Sequence, residues 1–333
     1  MRKHAAQTAG ELLGAALHGY AHDCFAPTRA DDRLRLDLAD LHDPIIPLLA
    51  CPRVSARAVQ PYGPSALGGD LRRFIELTLT LARTEFKLRY FGSILGYVWS
   101  LMRPLLFFGV LYFFFTRVIK LSRAPHYGVY LLTGIVFWNY FAEATGNAVN
   151  CMVTREGLLR KVRFPRMVIP VSVSLTATFN LAMNFIAVLV FALVNGVSPT
   201  ASWLELIPIA FGFVVFATGI GMLLSALYVR FRDVAPIWEV ALQAWFYGSP
   251  VMYLATAYGH FGRGFQQIAL ISPVATLLTQ ASHAFIGARA FRSATSVAGG
   301  FAPVLIAVAI IPAIFALGLW YFAREAPRVA ENL

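Results

Sequence analysis

Six apolar runs, each about as long as a helix that crosses a lipid bilayer, follow one another between residues 95 and 322 of this chain. Hydrophobic residues make up 58% of the sequence and charged residues only 14%, against about 25% charged in an average soluble domain. The pattern predicts an all-α integral membrane protein. The predicted spans are 95–117, 127–149, 167–194, 205–228, 235–255 and 299–322.

Two further segments adjoin these runs. Residues 70–91 place Arg72, Arg73, Arg83 and Lys87 on one third of a helical wheel and apolar residues on most of the rest. This predicts an amphipathic helix on the membrane surface, with its cationic face toward lipid headgroups. Residues 265–287 are apolar but interrupted by Pro273 and by Ser, Thr and Gln side chains. They predict one or two re-entrant or surface helices rather than a seventh span.

The N-terminal residues differ in composition from the rest. Residues 1–65 have balanced charge and contain no run of spanning length. They predict a polar, disordered cytoplasmic tail, separate from a transmembrane domain over 66–333.

A basic segment, residues 154–170, separates the second and third runs. Its cations are Arg155, Arg160, Lys161, Arg163 and Arg166. Each cation would cost a few kcal/mol in hydrocarbon, so the segment must be a loop outside the membrane. Leu158, Leu159, Val162 and Phe164 lie among the cations. Apolar side chains on an exposed loop predict a docking site for a partner.

The distribution of Lys and Arg predicts the orientation. With the N-terminus inside, fourteen cations between residues 72 and 328 fall on the cytoplasmic side and six on the other. The positive-inside rule then places both termini in the cytoplasm. The net charge of +11 follows the membrane flanks, so we expect no nucleic-acid partner.

No motif for nucleotide or metal chemistry occurs in the sequence. It contains no GxxxxGK[ST] loop, and its three cysteines, Cys24, Cys51 and Cys151, lack the spacing of a zinc site. The spans also lack the paired charges that are typical of ion-driven transporters. We therefore expect no metal or cofactor on this chain, no enzymatic activity of its own, and a partner ATPase that supplies energy at the basic loop.

Three blocks of the chain resemble the type-2 ABC exporter permeases of O-antigen, teichoic acid and capsular polysaccharide. LARTEFKLRYFGSILGYVWSLMRPLL, residues 81–106, is similar to the family's entry segment through Glu85, Lys87, Arg89, Tyr90, Ser93, Leu95, Gly96 and Trp99. REGLLRKVRFP, residues 155–165, resembles its coupling helix. Residues 228–253 resemble its RD…SPVxY block through Arg232, Asp233, Ser249, Pro250, Val251 and Tyr253. SPVATLL departs from the family's NPxxxLL by Ser272.

The resemblance implies a homodimer in the bacterial cytoplasmic (inner) membrane. An ABC ATPase would bind ATP and Mg beneath each copy, and an undecaprenyl-pyrophosphate-linked glycan would pass through a channel between the copies. The implied ATPase-coupling residues are Glu156, Leu158, Leu159, Arg160, Lys161, Val162, Phe164 and Pro165. The implied residues for substrate entry and its headgroup are Arg72, Arg83, Lys87, Arg89 and Arg103. The implied channel aromatics are Tyr112, Trp138, Tyr140, Trp245 and Tyr247.

Two other functions remain open at this point. One is a type-2 ABC permease that exports drugs or small lipids; such a permease would lack the amphipathic entry block. The other is a membrane-embedded glycosyl or lipid transferase. A transferase would require paired carboxylates or a metal motif, and Asp233 alone does not supply one.

Overall fold

The computed structural model describes residues 71–90, 94–119, 125–157, 165–287 and 290–332, and these residues form helices and short connections, with no strand among them. The predicted tail, residues 1–65, lies outside the described residues. The main helices are α1 Leu71–Tyr90, α2 Ile94–Phe113, α3 Tyr127–Val149, α5 Val168–Val194, α6 Leu206–Arg230, α7 Val234–Gly248 and α11 Ala302–Asn332. The shorter helices are α4 Cys151–Thr154, α8 Arg263–Ala269, α9 Pro273–Ile286 and α10 Ala294–Ala298. The predicted all-α class is confirmed.

Among the described residues, four helical segments are long and apolar enough to cross a membrane on their own. They are Trp99–Val118, Val168–Val194, Ala201–Arg230 and Ala302–Glu325. They correspond to the first, third, fourth and sixth predicted spans. The first continues past α2 through a single π-helical turn, Phe114–Val118, and the fourth begins with a 3₁₀ turn, Ala201–Glu205.

Helix α3, the second predicted span, is the most enclosed of the long helices in the described chain. Seventeen of its 23 residues are buried, and α2, α5, α6, α7 and α9 pack around it. Most of an enclosed helix avoids lipid, so it tolerates a charged residue such as Glu143, which is half-buried. Glu143 and the exposed Asn139 lower its hydropathy below that of the four spanning segments.

Helix α7, the fifth predicted span, is shorter than the sequence predicts. It ends at Gly248 rather than near residue 255. Its 15 residues give a length of about 22 Å at 1.5 Å per residue, against about 30 Å of hydrocarbon. The helix ends here because Pro250 disfavours the α conformation of the residue before it, and Ser249 is extended.

The segment 265–287, predicted to form one or two helices, contributes to two helices. Helices α8 and α9 meet at an angle of 95°. Pro273 occupies the first position of α9, where its missing N–H costs no intrahelical hydrogen bond. Helix α9 is largely buried and packs against α3 and α6, whereas α8 has no buried residue.

Two glycines allow α6 and α11 to approach closely. A Cβ atom added to Gly219 would lie 2.7 Å from the Cα atom of Phe315. A Cβ atom on Gly318 would meet the carbonyl oxygen of Gly219. Backbone therefore packs on backbone at this crossing, as small residues permit between membrane helices.

We predict that Gly219→Ala and Gly318→Ala each lower the unfolding temperature of the purified protein in detergent. The added methyl group has no space, and overpacking costs about 1–3 kcal/mol. Gly109→Ala on α2 is the control, because a Cβ atom there meets nothing within 4 Å. The control should match or exceed the wild type, since Ala favours a helix. A wild-type melting curve for Gly219→Ala would contradict the packing described.

Candidate functional site

Helix α1 has one face against the protein and one face outward. Thr78 and Ala82 are buried where α1 packs against α5. Three of the predicted entry cations, Arg72, Arg83 and Lys87, lie on the exposed face. Arg103, the fourth, is exposed on α2. These four cations are therefore on surfaces that an anionic group can reach.

Arg89, the fifth predicted entry cation, forms an ion pair with Glu143 of α3. Asn180 of α5 donates its side-chain N–H to the same carboxylate, 2.7 Å from Nδ2 to Oε1. Arg89 thus joins α1 to the centre of the helix bundle. Its charge is balanced by Glu143, which the sequence alone did not identify as its partner.

A second ion pair links α1 to the start of the basic loop. Arg155 pairs with Glu85 and also donates from Nη1 to Oγ of Ser172, at 3.1 Å. Thr176 donates to the other oxygen of Glu85, at 3.3 Å. Burial lowers the pKa of the Arg155 guanidinium to about 10, so it remains protonated at neutral pH.

A row of polar residues on α5 connects these two ion pairs. Ser172, Thr176, Asn180 and Asn184 recur at every fourth position and so share one face of the helix. The first three contact Arg155, Glu85 and Glu143, respectively. Sequence analysis missed this row, although the spacing of four was visible inside the apolar run.

The row ends at a small polar cavity of about 20 Å³. Its lining includes Pro104 of α2, Asn139 and Glu143 of α3, and Asn184 of α5. The Oδ1 atom of Asn184 is buried there with no hydrogen-bond partner among the described residues. A cavity of this size and polarity has room for one water molecule.

Most of the predicted coupling loop lies outside the described residues. Leu158, Leu159, Arg160, Lys161, Val162 and Phe164 belong to this group. The loop's two ends are described and well anchored. Cys151 and Met152 of α4 are buried just before it, and Val168 donates its backbone N–H to the Pro165 carbonyl at 3.0 Å after it. Glu156 and Pro165, the two described members of the predicted set, are half-buried.

Arg166 follows Pro165 at the second end of the loop. Burial lowers the pKa of its guanidinium. Its Nη1 atom has no hydrogen-bond partner among the described residues.

The predicted RD pair, Arg232 and Asp233, lies in the turn between α6 and α7. Both residues are exposed, and the Arg232 guanidinium lies over the ring of Tyr228, 5.4 Å from its centroid. The other half of this motif, Ser249 and Pro250, is buried at the opposite end of α7. Helix α7 therefore separates the two halves rather than bringing them into one site.

Two tyrosines of α3 hold the non-helical segment 249–254. The Tyr127 hydroxyl donates to the carbonyl oxygen of Met252 at 2.6 Å. The Tyr130 hydroxyl contacts the carbonyl oxygens of Pro250 and, at 2.5 Å, of Tyr253. These hydroxyls satisfy backbone oxygens that no helix satisfies, as irregular backbone requires inside a membrane protein.

We predict that Tyr130→Phe lowers the unfolding temperature of the purified protein in detergent. It keeps the ring, which stacks on Phe291, but removes the donor to the carbonyls of Pro250 and Tyr253. A buried acceptor left without a partner costs about 1–3 kcal/mol. Tyr247→Phe is the matched control, because Tyr247 is 67% exposed. Equal melting temperatures for the two variants would show that the Tyr130 hydroxyl does not stabilise the segment.

The five predicted channel aromatics have different environments. Trp138 and Tyr140 are buried among the helices of the chain itself. Trp245 is half-buried and donates to Oγ of Ser272 at 3.3 Å. Tyr112 and Tyr247 are exposed, at 41% and 67%. Tyr112 and Tyr247 are therefore the two of the five that present a substantial ring surface outside the helix bundle.

Within the described residues, no group of three or more His, Cys, Asp and Glu side chains is arranged to hold a metal ion. The charged groups that lie close together there are the ion pairs of α1. The ion pairs can fix helices, and the exposed cations of α1 and α2 can attract anions.

Comparison with known proteins identifies similar sequences. The family described as ABC-2 type transporter matches residues 76–286, from within α1 to the last residue of α9. The chain is 31% identical over 210 residues to the O-antigen export system permease protein RfbA of Klebsiella pneumoniae, covering 63% of this chain and 80% of that protein. It is 30% identical over 213 residues to the protein of the same name from Myxococcus xanthus, with the same coverage.

Proposed function

Since the chain belongs to the ABC-2 type transporter family, we propose that it is the permease subunit of an ABC exporter that moves a lipid-linked polysaccharide across the bacterial inner membrane. The observation that carries this proposal is the similarity of the chain to proteins named as O-antigen export permeases. The similarity covers 80% of the length of those proteins. The spanning helices agree with a multi-pass transport subunit. Neither the drug-exporter nor the transferase alternative gains support from a specific feature of the described residues.

Transport by such a permease requires energy from a separate ABC ATPase subunit. We place its docking site at the basic loop between α4 and α5, with ATP and Mg bound by the ATPase. The loop's anchored ends support this placement, because movement of a loop is passed on only when its ends are fixed to helices. A second copy of the chain would complete the transport channel.

In the proposed membrane arrangement, α2, α3, α5, α6, α7 and α11 are the six crossings. Helix α3 crosses inside the bundle, where Glu143 is half-buried and paired with Arg89. Helix α7 crosses together with residues 249–254, whose carbonyls Tyr127 and Tyr130 satisfy. Helices α8 and α9 form a re-entrant pair, α1 lies at the cytoplasmic surface, and both termini are cytoplasmic.

The proposed substrate is an undecaprenyl-pyrophosphate-linked glycan. Its diphosphate carries negative charge, and Arg72, Arg83 and Lys87 present cations on one helix at the membrane surface. Arg103 adds a cation close to the start of the first crossing. We assign first contact with the diphosphate to these four exposed residues, and we assign Arg89 to its ion pair with Glu143.

The proposed channel runs along the surface that carries Tyr112 and Tyr247. Aromatic rings suit a moving polymer, because each stacking contact with a sugar is weak and independent of sequence. Trp138 and Tyr140 are enclosed by their own subunit, so we assign them to packing in this conformation.

Deletion of this chain tests the proposed function directly. Cells that lack it should accumulate an undecaprenyl-pyrophosphate-linked polymer on the cytoplasmic side, detected by mass spectrometry of extracted lipids. Restoring the chain should clear the polymer, and restoring it beside an ATPase subunit with a disabled ATP site should not. Accumulation of a small drug or lipid instead would favour the alternative exporter.

The docking proposal predicts that Leu159→Asp and Phe164→Asp reduce export while the ATPase continues to hydrolyse ATP. A carboxylate placed in an apolar interface weakens binding, since burying it unpaired is costly. The measurements are co-purification of the ATPase, its hydrolysis rate and the amount of glycan at the cell surface.

The control for docking is Ser198→Asp, which adds the same charge at an exposed position beyond the other end of α5. This variant should behave like the wild type. Full export and normal co-purification in both loop variants would place the ATPase elsewhere on the chain.

A further inference from the structure

Helix α1 is fastened to the rest of the chain by two ion pairs one helical turn apart. Glu85 and Arg89 are four residues apart and therefore lie on the same face of α1. Glu85 pairs with Arg155, at the start of the basic loop, and Arg89 pairs with Glu143 of α3. The polar row of α5 adds a hydrogen bond to each pair.

The Glu85–Arg155 pair differs from an ordinary surface ion pair on the same helix. Arg72 and Glu76 also lie four residues apart, but their side chains are 88% and 64% exposed. The side chains of Arg155 and Glu85 are only 17% and 26% exposed. A partly buried pair adds little to stability compared with apolar residues, yet it fixes the relative position of the groups that it joins.

The place of Arg155 in the sequence connects α1 to the basic loop. Arg155 directly precedes Glu156, the first of the predicted ATPase-coupling residues. It is thus attached by its backbone to the loop and by its side chain to α1. Arg89 attaches the same helix to α3, so α1 joins the loop to the centre of the bundle through its two ion pairs.

We infer that Glu85 and Arg155 are positioning residues that make α1 move with the ATPase-coupling loop. Arg89 and Glu143 then pass this movement to α3. The inference rests on the proposed function for the role of the loop. It adds that movement driven by ATP reaches α1, the helix with the proposed substrate-entry cations, through the Glu85–Arg155 ion pair.

Charge reversal and charge exchange test the link in the permease–ATPase complex, reconstituted in lipid vesicles. Glu85→Arg and Arg155→Glu should each lower the glycan exported per ATP hydrolysed by about fivefold or more, the lower end of typical coupling between sites. The double variant, Glu85→Arg with Arg155→Glu, should recover to within about twofold of wild type, as a direct pair interaction requires. Arg263→Glu, which reverses the charge of an exposed residue at the start of α8, is the control and should leave export unchanged.

A purely structural role predicts different results. Loss of folding would lower ATP hydrolysis and export together, whereas loss of the link should lower export with hydrolysis retained. Arg155→Lys keeps the charge with little change in the structure, and it should recover most of the export that Arg155→Glu loses. Failure of both the double variant and Arg155→Lys to recover export would overturn the inference.

Hydrogen exchange gives a second readout that needs no substrate. Binding of a non-hydrolysable ATP analogue to the wild-type complex should change amide exchange in both the loop, 157–165, and helix α1, 71–90. In Glu85→Arg the change should remain in the loop and disappear from α1. A change in α1 that persists in this variant would overturn the link. Absence of glycan export by the wild-type complex would count against the proposed function alone.

Discussion

Hydrocarbon offers no hydrogen bonds, and this constraint explains where the chain places its polar groups. Backbone that leaves the helical form must find donors within the protein. At residues 249–254 the donors are the hydroxyls of Tyr127 and Tyr130, which reach across from α3. Helix α3 can supply them because five other helices enclose it. The short length of α7 and the central position of α3 are therefore two aspects of one arrangement.

The same constraint organises the charged groups. Two ion pairs form, Arg89 with Glu143 and Arg155 with Glu85. The polar row of α5 satisfies part of the remaining hydrogen-bonding capacity of these groups. The outer face of α1 carries the exposed cations Arg72, Arg73, Arg83 and Lys87. The charges of this helix thus divide into a set that fixes its position and a set that faces outward.

Much of the fold could be predicted from the sequence, because span length and charge distribution follow directly from the order of residues along the chain. Helix α1 begins and ends within one residue of the predicted amphipathic segment. The end of α7 was predicted seven residues too late, since apolar character continues through Val251 and Tyr253 after the helix has stopped. The partners of Arg89 and Arg155 could not be predicted, because they depend on which helices pack together. The α5 row was overlooked because the apolar residues around it keep the whole segment hydrophobic enough to be interpreted as a span.

The tyrosine contacts also bear on the order in which the chain is made. The carbonyl oxygens at residues 250–253 come about 120 residues after the hydroxyls that satisfy them. A ribosome that feeds this chain into a membrane therefore delivers α3 well before the irregular segment emerges. The tyrosine hydroxyls are therefore already in the membrane when residues 250–253 are inserted. The carbonyl oxygens of this segment can accept hydrogen bonds at once, without a later helix. Moving α3 to the end of the chain by circular permutation would reverse that order while leaving every native contact available.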